Sequence, residues 1–578
     1  MKKIISILLS LVMIITSCTT LMITTTAEGA TEAPAPGTDA YVQALVQEGY
    51  TAISNFDEVT DYSGKYYLTA DVTIPDSNAT PYLLRNETFT GVLDGNGHTV
   101  YNSRYRFFST LKGTMKNLTF SKFTSAEQLE VFIVEMGDPL LTAIADGAVV
   151  ENVVTNRTYV EDISDYYGAI VRDVPANATV TFRNVTNNSS VAYPYAAYNI
   201  KIGGFIGIAR ANCTIYFENC VNNGNVKGSQ AGGFIAILED GPTISFKNCT
   251  NNGTIQGSIG KSMQGEAAKG VAGGFIGSRN NCYKREAPMN ISFENCTNAG
   301  DVLRWEGAYE ASTKTDFKVA QGGFIGNLGE GGNGDNPLTL SFKDCKVTTC
   351  YVGAGTNWQD QVDGTGSVTT DYTQGYVGAI IGWLGTTNMT DNITIQNVTV
   401  ANVMIESADP AYASLFLNTD TGAHKTVVLK DCIASVCDGA TTAATGNVKF
   451  VNEGSSTNIT MNKAQKSAVK DGKMALRFLG GVENLQYTSL GFIVKKSVAE
   501  NDTYYFIFDR KVYNEINNGT DALTKADFNE YYISAAILND VSATEAAIYE
   551  VTPYAIDLEG NAVVGATKFV MLTNGELS

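Results

Sequence analysis

The sequence predicts an all-β chain in which sequence-related coils stack into a parallel β-solenoid over residues 60–452, followed by a small β-sandwich over 464–578. Three observations predict this. Two short phrases alternate along the middle of the chain at intervals too regular for separate domains. Within each phrase apolar and polar residues alternate with a period of two, which marks a strand with one buried face. The composition is glycine-rich and poor in charge (56 Gly, 12 Pro, 17% charged), unlike a chain of amphipathic helices.

The first phrase is Gly-Gly-Phe-Ile-Gly or a variant, beginning at Gly203, Gly232, Gly273 and Gly322, with looser copies at Gly168 and Gly378. The second is apolar-x-apolar-charged-Asn-apolar, as in Ile244-Ser245-Phe246-Lys247-Asn248-Cys249. Its Asn or Asp recurs at Asn117, Asn152, Asn184, Asn219, Asn248, Asn295, Asp344, Asn397 and Asp431, in steps of 29 to 53 residues. Little helical pattern lies between the copies, so a strand of this kind satisfies its backbone most simply by pairing with its own copy one coil away.

The residue before each Asn fixes a register. It reads Lys116, Glu151, Arg183, Glu218, Lys247, Glu294, Lys343, Gln396 and Lys430, alternating in sign through seven positions. Stacked about 4.8 Å apart, each charge would lie between opposite partners, and a slip of one residue would lose every pair. The Asn position forms a structural amide ladder. The position after it exchanges Leu, Val and Cys (Leu118, Val153, Val185, Cys220, Cys249, Cys296, Cys345, Val398, Cys432), so cysteine there is a small buried hydrophobe.

At these residues the chain resembles the GLUG-repeat bacterial surface proteins and, more broadly, right-handed parallel β-helix proteins. The likeness extends upstream to Tyr66–Val72 and Phe89–Val100, which contains Asp94-Gly95-Asn96-Gly97-His98. It implies an extracellular, adhesin-like role. After a Ser/Thr/Asn-rich bridge at 451–459, Leu476-Arg477-Phe478, Tyr487–Phe492 and Val551-Thr552-Pro553-Tyr554 resemble a module that ends large secreted proteins of anaerobic Gram-positive bacteria. Short apolar runs with turns at Asp471-Gly472, Asn517–Gly519 and Glu559–Asn561 predict its sandwich.

The N-terminus reads as a targeting segment, with Lys2-Lys3 ahead of an apolar stretch from Ile4 to Ile15 that is too short to be a permanent membrane span. Residues 1–27 form the expected signal peptide, and 28–59 a linker and N-terminal cap. Ile15-Thr16-Ser17-Cys18 also resembles a lipobox, in which Cys18 would carry lipid. The mature chain is then extracellular or at the cell surface, with no transmembrane segment and, by expectation, monomeric.

The net charge of −19 argues against nucleic acid or an anionic membrane as partner, since both select basic surfaces. Only His98 and His424 exist, and neither has a nucleophile beside it, so triad chemistry has no support. Cys345…Cys350 and Cys432…Cys437 share a spacing that suggests zinc, but an intervening coil would separate them by about 10 Å. No cofactor is expected; calcium at Gly332–Asp335 would lack a complete ligand set. The alternative to a binding protein is a polysaccharide lyase or hydrolase, which needs outward carboxylates and a base on consecutive strands. The acidic groups Glu161/Asp162/Asp165 and Asp360/Asp363/Asp371 sit in loops instead.

Recognition remains. The longest insertions, 256–272, 303–321 and 351–375, occupy one coil position and so emerge on one side. They and their margin carry Trp305, Tyr309, Trp358, Asp360, Asp363, Tyr372 and Tyr376, residues suited to stacking on sugar rings or to a contact with a cell-surface protein. The competing role for these aromatics is to pack their own loops down onto the solenoid.

Overall fold

A computed structural model describes residues 33–578 apart from 75–86, 104–105, 123–137, 158, 161–165, 193–199, 262–266, 281–284, 307–318, 330–335, 355–374, 408–409, 421, 436, 441, 452–455, 457–458, 483–486, 499–500, 509–531 and 558–561. The chain divides into two units, residues 1–48 and 49–578. The first contains a helix, Asp39–Gln47, within the stretch 28–59 read as linker and N-terminal cap. Thr38 caps it by accepting the Tyr41 N–H at 3.3 Å, and Asp39 stands in its first turn.

The second unit is all-β. From Thr51 to Val451 almost every strand pairs in parallel with the equivalent strand of the next repeat. The repeat around Ile215 shows the pattern. Thr214–Glu218 and Val221–Asn222 belong to a 22-stranded sheet I, Val226–Gly228 to a nine-stranded sheet II, Gln230–Gly232 to a seven-stranded sheet III, and Ile235–Leu238 to a nine-stranded sheet IV. Thr243–Lys247 then pairs with Thr214–Glu218, and the cycle begins again.

The charged column keeps one register. Lys116 pairs with Glu151, Glu151 with Arg183, and the pairing runs on through Glu218, Lys247, Glu294, Lys343, Gln396 and Lys430. Arg183 bridges Glu151 and Glu218 at 3.1 Å each. The buried Asp94, 3.2 Å from Lys116, adds an acidic member at the top of the column.

Each column residue is followed by Asn or Asp for a backbone reason. All nine of these positions have φ between +51 and +56°, the left-handed region that Asn and Asp tolerate best among residues with a Cβ. From the rung of Asn184 to that of Asp431 the turn splits sheet I into two short strands per rung, whereas Thr114–Ser121 and Val149–Asn156 run through it. Asn152, Asn184, Asn219, Asn248 and Asn295 each donate to the preceding amide at 2.8–3.0 Å. The Asp344 side chain has no N–H to give, so that run ends there; Asn397 then donates to Asp344 at 2.6 Å.

A second amide column is fully buried. Asn187 donates to Asn222, Asn222 to Asn251 and Asn251 to Asn298, each at 2.8 Å. In Asn222, Asn251 and Asn298 the second N–H caps the carbonyl of Gly224, Gly253 or Gly300. Polar side chains survive inside the stack because their hydrogen-bonding groups are engaged by neighbours.

Two phenylalanine stacks fill the space between sheets I and IV. Phe182, Phe217, Phe246, Phe293 and Phe342 stack with centroids 4.6–5.0 Å apart. Phe205, Phe234, Phe275 and Phe324 form a second stack, edge-on to the first. Each buried ring contributes about 1.5–3 kcal/mol as an upper estimate. The paired glycines make the corner before the second stack. A Cβ on Gly233 would lie 2.0 Å from the Gly274 carbonyl and 2.6 Å from the Asn251 side chain. No larger residue fits there.

From Ile459 the pairing becomes antiparallel. Ile459–Lys466, Lys473–Val482 and Tyr532–Ser542 form a three-stranded sheet; Tyr487–Val498, Asn501–Phe508, Ala547–Asp557 and three short strands form a six-stranded one. Leu476, Phe478, Phe492, Val494, Tyr549 and Val551 share a core. These strands are no separate appendage. Phe506 packs on Phe416 and Phe450, Tyr504 on Phe450, and the Tyr554 hydroxyl donates to the Ala434 carbonyl. Ile493, Phe506, Tyr554 and Ile556 belong to the same apolar cluster as the parallel sheets.

Candidate binding face

The predicted insertions leave from one edge. Strands Ile255–Lys261, Val302–Glu306, Tyr351–Ala354 and Met404–Ser407 are neighbours in sheet II, and the chain returns through Val271–Gly273, Val319–Gly322, Gly375–Gly378 and Ala413–Ser414, neighbours in sheet III. Roots one rung apart lie about 4.8 Å from each other. The insertions are shorter than sequence reading set them, because sheet II continues into them and Ile259–Lys261 folds back antiparallel on Ala267–Lys269. Trp305 accordingly stands on a rung strand, paired with Ser258. Tyr309, Trp358, Asp360, Asp363 and Tyr372 lie outside the described residues, as do Cys18, Glu161, Asp162, Asp165 and Gly332–Asp335.

Tyr376 is described, and it packs against two other rings. Its ring centroid is 4.2 Å from that of Trp383 and 4.9 Å from that of Tyr412. Trp383 is buried, while Tyr376 and Tyr412 are half-buried. The three rings form an aromatic base where the chain re-enters sheet III after 355–374. Sequence reading missed Trp383 and Tyr412, because contact between sheets III and IV follows from the glycine corner and not from spacing along the chain.

That corner folds the outer faces of sheets III and IV toward each other. A Cβ on Gly326 would meet Val271 Cγ1 at 2.6 Å. Buried Ser278 donates to buried Gln230, and Ile208, Ala236 and Ile237 form a small apolar cluster against Tyr166. At the opposite end from Tyr376, Tyr166 lies between two cations, with Lys201 Nζ 4.9 Å and Arg210 Cζ 5.5 Å from its ring centroid.

Arg210 is held by both acids nearby. Its Nη2 is 2.7 Å from Asp173 Oδ2, and its Nη1 is 3.0 Å from Glu239 Oε1; Glu239 Oε2 also accepts the Ala211 N–H at 3.1 Å. The hydrogen bonds that Arg210 donates to Asp173 push the guanidinium pKa further up. Both carboxylates are thus committed to one arginine, a poor arrangement for general acid–base work.

The histidines serve turns. His98 Nδ1 lies 3.1 Å from Asp71 Oδ1, which also accepts the Thr99 N–H, and the His424 N–H bonds the Thr387 carbonyl. The eight described cysteines are buried. Cys345 and Cys432 belong to repeats separated by that of Asn397. Burial pushes the Cys213 and Cys432 thiols up to about 12. Among the described residues no group of three or more His, Cys, Asp or Glu is placed to hold a metal ion, and no helix is long and apolar enough to cross a membrane. No family model, curated protein or solved structure matches the chain.

Proposed function

We propose that the chain is a secreted or surface-attached, non-enzymatic binding scaffold. In this reading residues 1–27 direct export, with Cys18 the alternative lipid-bearing start, and 60–452 form a right-handed parallel β-helix of GLUG-like repeats. Residues 464–578 add a β-sandwich, and the insertions on one side recognise glycans or cell-surface proteins. The observation that carries this reading is the common root of the insertions. The chain leaves sheet II after Ile255–Lys261, Val302–Glu306 and Tyr351–Ala354 and enters sheet III at Val271–Gly273, Val319–Gly322 and Gly375–Gly378 on successive rungs, the last of them beside the Tyr376–Trp383–Tyr412 base. A repetitive support that places variable segments side by side suits recognition of an extended ligand. The commitment of Asp173 and Glu239 to Arg210 weighs against hydrolysis or elimination at that acid–arginine cluster.

A glycan-array screen of the full chain with parallel product analysis tests this. The expected result is binding without product release, lost in Trp305→Ala and Trp358→Ala. Release of shortened or unsaturated saccharides would replace the scaffold with a β-helix lyase or hydrolase. Deletion of 307–318 and 355–374 with all binding retained would refute the placement of the site.

A further inference from the structure

The junction between the parallel stack and the antiparallel sheets holds a cavity of about 260 Å³ that the reading above does not use. One wall is Lys449, Phe450 and Val451, on the last strand of sheet I. The opposite wall is Ile493 and Lys495 with Glu550 and Thr552, from two neighbouring antiparallel strands; Tyr504 and Thr567 complete it. The volume lies near the lower bound for small-molecule sites, which begin at about 300 Å³. It suits a single sugar ring.

Its chemistry is specific. Lys495 Nζ is 3.0 Å from Glu550 Oε1, the two residues being direct cross-strand partners. Lys449 also lines the cavity, is exposed and forms no ion pair among the described residues, so two lysines and one glutamate give the lining a charge of about +1. In a chain of net charge −19 this is a local reversal, and it selects an anion. Thr552 and Thr567 bring hydroxyls 2.7 Å apart, each able both to donate and to accept. Phe450, with Tyr504 at 4.9 Å, and Ile493 offer apolar surface for the C–H face of a ring.

We infer that this junction cavity binds a monosaccharide-sized sugar carboxylate, a uronic acid free or at a chain end, with its carboxylate toward Lys449 and its hydroxyls toward Thr552, Thr567 and Glu550. The site is distinct from the insertion face and stands or falls independently of it.

Calorimetric titration of the full chain with D-glucuronate, D-glucose and acetate tests the inference. Glucuronate is expected to saturate with a dissociation constant of about 1 mM, the range open to a small polar ligand. Glucose and acetate should each bind at least about tenfold more weakly, because each lacks one half of the recognition. Lys449→Gln, at an exposed position that leaves the core untouched, should weaken glucuronate about tenfold, and Thr567→Val, also exposed, several-fold. No saturation with glucuronate up to about 50 mM, equal binding of glucose, or unchanged affinity in Lys449→Gln would each overturn it. Methyl glucuronide and glucuronate binding alike would identify a chain end as the occupant; glucuronate alone would identify the free acid.

Discussion

Replacing Asn222 by alanine tests whether the buried amides hold the stack together or merely occupy it. Asn222 is fully buried. Its Oδ1 accepts from Asn187 at 2.8 Å, and its two N–H groups go to Asn251 Oδ1 at 2.8 Å and the Gly224 carbonyl at 3.0 Å. The substitution leaves a donor on Asn187 and acceptors on Asn251 and the buried Gly224 carbonyl without these partners. Each orphan costs about 1–3 kcal/mol, so the total is about 3–9 kcal/mol.

Asn219, three residues earlier, is the control. It is exposed and has a φ of +54°, and its ladder bonds of 3.0 Å compete with water. Asn219→Ala therefore loses mainly the left-handed preference, about 1–2 kcal/mol. The assay is the denaturant midpoint at constant m-value, with amide exchange over Val221–Gly228 to locate the effect. Asn222→Ala should lower the midpoint well beyond Asn219→Ala and deprotect the rungs of Asn187 and Asn251 on either side. Equal costs at the two positions would refute the reasoning.

Gly233→Ala drives a Cβ to 2.0 Å from a backbone carbonyl and should cost more than about 3 kcal/mol. Gly147→Ala, at φ +83° with open space around it, should cost only about 1 kcal/mol in the same thermal melt. Thr349 is a β-branched residue at φ +52° in register with Asn402 at φ +55°; Thr349→Asn should stabilise the chain by about 1 kcal/mol, read as a higher denaturant midpoint. Burial raises the Cys213 and Cys432 thiols to about 12, so the fold favours the neutral form. That stabilisation is complete below the ordinary thiol pKa of about 8.5 and is lost as pH rises from there through 12. The eight buried thiols should resist a chromogenic disulfide reagent at pH 8 until urea unfolds the chain, and the urea midpoint should fall between pH 8 and 11. Ending the chain at Ser456 uncovers Phe416 and Phe450 and should yield aggregates in size-exclusion chromatography; a monodisperse product with an unchanged melt would show that the antiparallel sheets are dispensable.

The column from Lys116 to Lys343 was legible because a period-two strand has one permissible register, and sign alternation marks it residue by residue. Asn117 and its successors were read as an amide row at the turn, but their deeper cause, a left-handed backbone at each, is a torsional fact that one-letter spacing only hints at. The buried column was open to view in Val221-Asn222-Asn223-Gly224, Thr250-Asn251-Asn252-Gly253 and Thr297-Asn298-Ala299-Gly300. It was passed over because polar residues beside glycine are the ordinary signature of an exposed turn. The candidate face was legible only as an edge. Contacts such as Tyr376 with Trp383 and Tyr412 arise where two sheets fold back at a glycine corner, and no periodicity along the chain encodes which residues then meet.

These columns also bear on where recognition can reside. From Asn187 to Asn298 the interior presents the same amide at each rung, and from Asp94 to Lys343 the outer column presents a charge met by its opposite. A surface that repeats every rung and neutralises itself offers a partner no unique position, because sliding by two rungs restores the same pattern. Selectivity then needs sites where the repetition breaks. Two kinds of break occur here: the unequal segments rooted between sheets II and III, and the junction where the last parallel strand, Val448–Val451, meets antiparallel neighbours. The first can differ from rung to rung while sharing one edge. The second occurs once, which is the condition for a single small ligand to be bound in one place and one orientation.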